Sequence, residues 1–201
     1  MVKNIIFDFG GVLINWNPHN LYDGYFGDKE KAQWFIDNIC TSEWNSQMDK
    51  GKPFDVGVAE LVAKHPDWET EIRVYQTRWH EMVTQEVPGM TQLLTDLKAN
   101  GYPIYGLTNW SDETMQDEFK RWNIFRLVED MVVSGREKIL KPDPAIYHCL
   151  LSRFKLEPDE CVFIDDNQKN VEAAQKLGIH AVRFEDAEKL RQTLIDMNVR
   201  L

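Results

Sequence analysis

Five side chains in this sequence have the types that metal-assisted chemistry on an anion requires, and each lies at or beyond the end of an apolar run. Asp8 closes "IIFD", Thr108 closes "IYGLT", and Asp165 and Asp166 close "CVFIDD", while Lys141 stands in "KILKPDPAIY" just before a helix start. Ligands of open parallel sheets bind beyond the carboxyl ends of the strands, so these placements predict convergence on one sheet edge. Each residue alone has a plainer reading: a strand-end acid caps a turn, and a lysine is a solvated charge. Convergence changes the balance, because three carboxylates brought together without a cation repel one another. A hard divalent ion removes that cost. Mg²⁺ takes oxygen ligands from one or two carboxylates together with a phosphate, and Lys141 adds positive charge for an anionic substrate.

The elements that must position these residues are legible as short apolar runs over Asn4–Phe9, Ile104–Thr108, Met131–Ser134, Cys161–Ile164 and His180–Phe184. Runs of this length and composition predict buried parallel strands. Helical patterns separate the later ones. Met90–Ala99 ends at Asn100-Gly101, Ser111 caps a turn rich in Asp112 and Glu113, and Pro144 opens the next helix after Asp143. Alternation of strands and helices predicts a three-layer α/β fold. From Trp16 to Glu86 the rhythm breaks: helical patterns such as Lys29–Asn38 and Val56–Lys64 occur without a convincing strand, alongside five of the seven tryptophans. That segment reads as a helical insertion, with residues 1–15 and 87–201 forming the core and 16–86 the cap.

Composition narrows the partners. At 201 residues the chain suits one sizeable domain or a core with an insertion. A net charge of −10 argues against nucleic acid or an anionic membrane as the partner. Cys40, Cys149 and Cys161 have neither disulfide nor zinc-site spacing and read as reduced thiols. No apolar stretch approaches the ~20 residues of a membrane span, and Met1–Phe9 lacks a signal-peptide layout, so a cytoplasmic location is expected. Nothing in the sequence indicates an oligomeric state.

Taken in order, "FDFGGVL", "LTN", "KPDPAIY" and "FIDDN" resemble the four motifs of the haloacid dehalogenase-like hydrolase superfamily. The resemblance spans nearly the whole chain and implies a Rossmann-like core with a cap inserted after the first motif. It implies that Asp8 is a nucleophile forming an aspartyl-phosphate, that Thr108 and the backbone near Asn109 hold phosphate oxygens, and that Lys141 offsets charge on the transferring group. It implies that Mg²⁺ is bound by Asp8, Asp166 and the Gly10 carbonyl, with Asp165 a ligand or a support for one. Trp16, Trp44 and Met48 are the cap's candidate substrate contacts, and "NWNP" and "SEWNSQMDKG" resemble a subgroup that includes sugar-1-phosphate phosphatases.

Phosphatases of this superfamily usually carry a second Asp where this chain has Gly10. Glycine can neither protonate a leaving oxygen nor activate water, so the acid is absent or supplied elsewhere. Without it, good leaving groups such as anomeric or aryl oxygens are expected to be favoured. The expected activity is Mg²⁺-dependent hydrolysis of a small phosphomonoester. The alternatives are a 2-haloacid dehalogenase, whose members also lack the second Asp and carry an Asn after motif two, and a non-catalytic binding protein on the same scaffold.

Overall fold

The computed structural model of the protein describes residues 1–201. Its first strand, β1 (Asn4–Phe7), lies at the centre of a five-stranded sheet. A short strand β2 (Ile14–Trp16) follows, then five helices: α1 (His19–Phe26), α2 (Lys29–Asn38), α3 (Ser42–Asp49), α4 (Phe54–Lys64) and α5 (Glu69–Thr77). Strand β3 (Val83–Glu86) closes this excursion by pairing antiparallel with β2. The chain continues through α6 (Met90–Ala99), β4 (Ile104–Thr108), α7 (Asp112–Arg121), β5 (Asp130–Val133), α8 (Ser134–Glu137), α9 (Pro144–Phe154), β6 (Cys161–Asp165), α10 (Gln168–Lys176), β7 (His180–Arg183) and α11 (Ala187–Asp196).

The main sheet has the order β5-β4-β1-β6-β7, and every pairing in it is parallel. Alternate side chains of a strand point to opposite faces, and both faces are covered. Ile5 and Phe7 of β1 join Val162 and Ile164 of β6 in the larger apolar cluster, with Leu93, Leu94 and Leu97 of α6 and Leu190 and Leu194 of α11. Ile6, Leu107 and Phe163 point the other way, against Ile146, Tyr147 and Leu150 of α9 and Ala174 of α10. This double coverage is why the strands read as continuous apolar runs. All five residues of β6 are buried.

Helix ends follow the local chemistry. Ser111 accepts a hydrogen bond from the Glu113 amide, Asp143 caps α9 ahead of Pro144, and Asn167 caps α10. The expectation that 16–86 holds no strand is corrected by β3 and by the end of β2: "VTQE" is short and polar at three of its four positions, so only its pairing with β2 identifies it. The insertion packs its own aromatic interior, with Tyr22 near Phe35 (centroids 4.8 Å) and Trp44 edge-on to Tyr75 (4.9 Å). Its interior is continuous with the larger core cluster. No helix is long and apolar enough to cross a membrane.

Candidate active site

β1 delivers Asp8 one residue beyond its end, and the Asp8 amide still bonds the Ile164 carbonyl of β6 (2.8 Å). The neighbouring strands β4 and β6 end level with it, at Thr108 and Asp165. Lys141 reaches the same point from the segment before α9. Its ammonium donates to Asp165 Oδ2 (2.7 Å) and to the Leu107 carbonyl (2.7 Å), and pairs with Asp8 Oδ2 (2.9 Å). Burial alone would lower this ammonium, but Asp165 and Asp8 outweigh it and hold Lys141 charged.

The two adjacent acids divide the work. Asp165 is fully buried, and both its oxygens are engaged: Oδ1 accepts from the Asn167 amide (2.8 Å), Oδ2 from Lys141, and Asn170 Nδ2 reaches both at 3.0 and 3.1 Å. It fixes Lys141. Asp166 faces outward beside it, and its carboxylate accepts no hydrogen bond from another residue. Burial, then repulsion from Asp165, raises the Asp166 pKa. Asp8 is pushed up to about 7, by burial first, against the pull of Lys141 and with Asp165 and Asp166 adding repulsion.

Ligand oxygens of Asp8, Asp165 and Asp166 all lie within 4.8 Å of one another. Gly11 makes room for them: at φ +77° it adopts a backbone that side chains avoid, and a Cβ there would stand 2.6 Å from Asp166 Oδ2. Carboxylate oxygens crowded around one cation-sized space, with a single ammonium among them, fit a hard divalent ion such as Mg²⁺. The Thr108 hydroxyl is completely buried without a hydrogen-bond partner, an uncompensated polar group of the kind that ligands satisfy.

Above this edge lies a cavity of about 300 Å³ lined by Asp8, Gly10, Gly11, Trp16, Asn45, Asp49, Trp79, Asn109, Trp110 and Asp166. It brings together the expected Asp8, Gly10, Trp16, Asn109 and Asp166. Trp44 and Met48 are corrections. The Trp44 indole donates to the Gly57 carbonyl (3.1 Å) inside the insertion, and Met48 is fully buried against Gly57, so neither lines the cavity. The Asn109 side-chain amide donates to the Lys141 carbonyl (3.0 Å) and accepts the Lys141 N–H (2.8 Å), clamping the lysine's backbone. Sequence reading missed Trp79, Trp110, Asn45 and Asp49. The last two lie in the "SEWNSQMDKG" stretch already singled out, where the available signal was an isolated acid at the end of a helix before Lys-Gly.

A family model described as haloacid dehalogenase-like hydrolase matches residues 25–184. The chain is 37% identical to mouse acyl-CoA dehydrogenase family member 10 over 92% of its own length, but spans only 18% of that protein. It is 28% identical to the sesquiterpene phosphatase astK of Aspergillus oryzae, covering 92% of this chain and 91% of that one. It is 32% identical over 48% of its length to (S)-2-haloacid dehalogenase 4A of Burkholderia cepacia, of which it covers 42%. Among solved structures, a HAD family enzyme of Bacteroides thetaiotaomicron in magnesium complex superposes with TM-score 0.75 at 22% identity, covering 96% of this chain and 98% of that one. At this identity the likeness speaks for the fold.

Proposed function

The chain belongs to the haloacid dehalogenase-like hydrolase family, and from that premise we propose that it is a Mg²⁺-dependent phosphomonoesterase of a small metabolite. The observation that carries the reading is the Asp8–Lys141–Asp165 arrangement beside a freely presented Asp166. A carboxylate that attacks phosphorus needs its charge retained in a buried site, and Lys141 supplies that. Asp8 Oδ attacks the phosphorus, the ester oxygen departs, and water then releases phosphate from the acyl-phosphate. Lys141 and the Thr108 hydroxyl face the charge that accumulates on the phosphoryl oxygens. Asp8, Asp166 and the Gly10 carbonyl would hold Mg²⁺, which when bound offsets charge on the phosphate. Asp165 and Asn109 hold Lys141 in place.

The leaving moiety occupies the cavity bounded by Trp16, Trp79 and Trp110. The Trp16 indole N–H is buried and unpartnered, one donor for a substrate oxygen. Indole faces suit the C–H face of a sugar ring, and a sugar-1-phosphate is our first candidate, with prenyl and aryl esters as competitors for the same surface. A second reading, 2-haloacid dehalogenation, draws on Gly10 and Asn109, but that chemistry has no use for a carboxylate presented as Asp166 is. The deciding experiment is a phosphate-release screen over metabolite esters with Mg²⁺ and with chelator, run beside an assay for halide release from short 2-haloacids. Phosphate release that depends on Mg²⁺ is expected. Activity on haloacids alone overturns the proposal.

A further inference from the structure

We infer that Asp49, brought into the cavity by the helical insertion, is the proton donor to the leaving oxygen that Gly10 cannot supply. This inference rests on the phosphomonoesterase reading above and assigns its missing step.

Asp49 is the last residue of α3 and lines the same cavity as Asp8 and Asp166. Its position is fixed from three sides. On its own helix, Asn45 Nδ2 donates to Asp49 Oδ2 (2.9 Å), and the buried Tyr75 hydroxyl of α5 donates to Asn45 Oδ1 (2.9 Å). The tyrosine therefore sets which way the amide points and directs its N–H at the carboxyl. From the core, Ser134 Oγ donates to the Asp49 carbonyl (2.5 Å). Two residues on, Gly51 at φ +96° lies against the core backbone, where an added Cβ would stand 2.7 Å from the Gly135 carbonyl oxygen. A cap acid seated on the core in this way keeps its distance from the nucleophile.

Its surroundings favour the protonated form. Burial pushes the Asp49 carboxyl up to about 8, the Ser111 amide opposes this, Asp8 adds repulsion, and no lysine or arginine neutralises it. A donor that works at neutral pH must hold its proton there. The other acids on the cavity, Asp8 and Asp166, already have roles as nucleophile and ligand.

The steps balance. As Asp8 Oδ forms its bond to phosphorus, the P–O bond to the leaving group breaks, and that oxygen takes the Asp49 proton to leave as an alcohol. The Asp49 carboxylate then accepts a proton from the water that attacks phosphorus. The Asp8–phosphorus bond breaks, phosphate leaves, and both side chains return to their starting states. No co-reactant is needed.

The test is a plot of log kcat/KM against leaving-group pKa, from 4-nitrophenyl phosphate to n-butyl phosphate, with Mg²⁺, for wild type, Asp49→Asn and Asp49→Ala. Circular dichroism checks that the variants fold. The wild-type plot should be shallow. Both variants should lose about 10²–10⁴-fold on the alkyl ester, the range of general acid catalysis, and less than about tenfold on the nitrophenyl ester, making their plots steep and negative. Equal losses on both esters in the folded variants, or no loss on the alkyl ester, overturn the inference while the wild-type activity leaves the phosphatase reading standing. A wild type that cleaves neither ester overturns that reading itself, and the inference with it.

Discussion

Lys141 stands between two buried carboxylates, Asp8 and Asp165, at 2.9 and 2.7 Å. Its removal should affect stability as well as rate. In Lys141→Met both acids keep their burial and lose their counter-charge, a change that typically costs roughly 3–5 kcal/mol. Urea denaturation should show that loss alongside abolished phosphate release, and a variant as stable as wild type would contradict the pairing. Asp8→Asn should behave in the opposite way. It removes a charge that burial and two neighbouring acids already disfavour, while Asp165 still satisfies the lysine. The fold should be at least as stable as wild type by thermal melt, while kcat falls on the order of 10³-fold or more, as loss of a nucleophile does elsewhere. A variant keeping more than about a tenth of its activity would exclude the covalent mechanism. Gly10 is open to a test as well: a Cβ there meets nothing nearer than Trp16 Cβ at 3.9 Å, so the cavity admits an acid at that position. Gly10→Asp combined with Asp49→Asn should recover turnover of alkyl phosphates relative to Asp49→Asn alone, measured as phosphate release.

Among the elements, β4 shows how tightly the strand carrying Thr108 is fitted. A Cβ on Gly106 would stand 2.3 Å from Phe9 Cζ and 2.9 Å from Met131 Cβ. Phe9 follows Asp8 directly, is fully buried, and packs on Phe125 with centroids 4.8 Å apart. Gly106→Ala should therefore displace the Phe9 ring and with it the backbone that aims Asp8. Overpacking of this kind costs about 1–3 kcal/mol, visible as a lowered denaturation midpoint, and kcat should fall with it. An unchanged midpoint would mean that Phe9 moves away freely. The strand itself was legible in "IYGLT" as an apolar run, as were β6 in "CVFID" and the capped start of α9 at Asp143-Pro144. Strand β3 was not, because "VTQE" has no pattern of its own and exists by its pairing with β2.

Across the whole molecule, Asp8 and Asp166 follow strands 157 residues apart at their starts, Asn4 of β1 and Cys161 of β6, which pair side by side. A cation held between Asp8 and Asp166 would bind the folded chain and not the unfolded one. Such a ligand adds about 2.7 kcal/mol of stability at a concentration 100-fold above its dissociation constant. Titrating Mg²⁺ should therefore raise the melting temperature of the wild type, and much less that of Asp166→Ala, while chelator abolishes phosphate release. Equal melting temperatures with and without Mg²⁺, together with full activity in chelator, would remove the metal from the mechanism. The insertion is tied to the core by polar contacts as well as apolar ones: Glu113 accepts from the Phe54 amide (3.0 Å) and Arg121 donates to the His80 carbonyl (2.7 Å).

The sequence by itself determined the sheet edge. Strand ends are set by local apolar pattern, and a parallel sheet buried on both faces leaves its carboxyl ends as the natural place for Asp8, Thr108, Asp165 and Asp166. It also determined that Gly10 lacks an acid. Only the tertiary structure decided what faces that edge. Trp44 and Asp49 lie five residues apart on one helix, a little more than a turn, and nothing local distinguishes the indole that packs inward on Tyr75 from the acid that reaches the cavity. That choice is made by Tyr75, remote in the chain within the insertion, and by Ser134 and Gly135 of the core, whose contacts exist only once the insertion has docked.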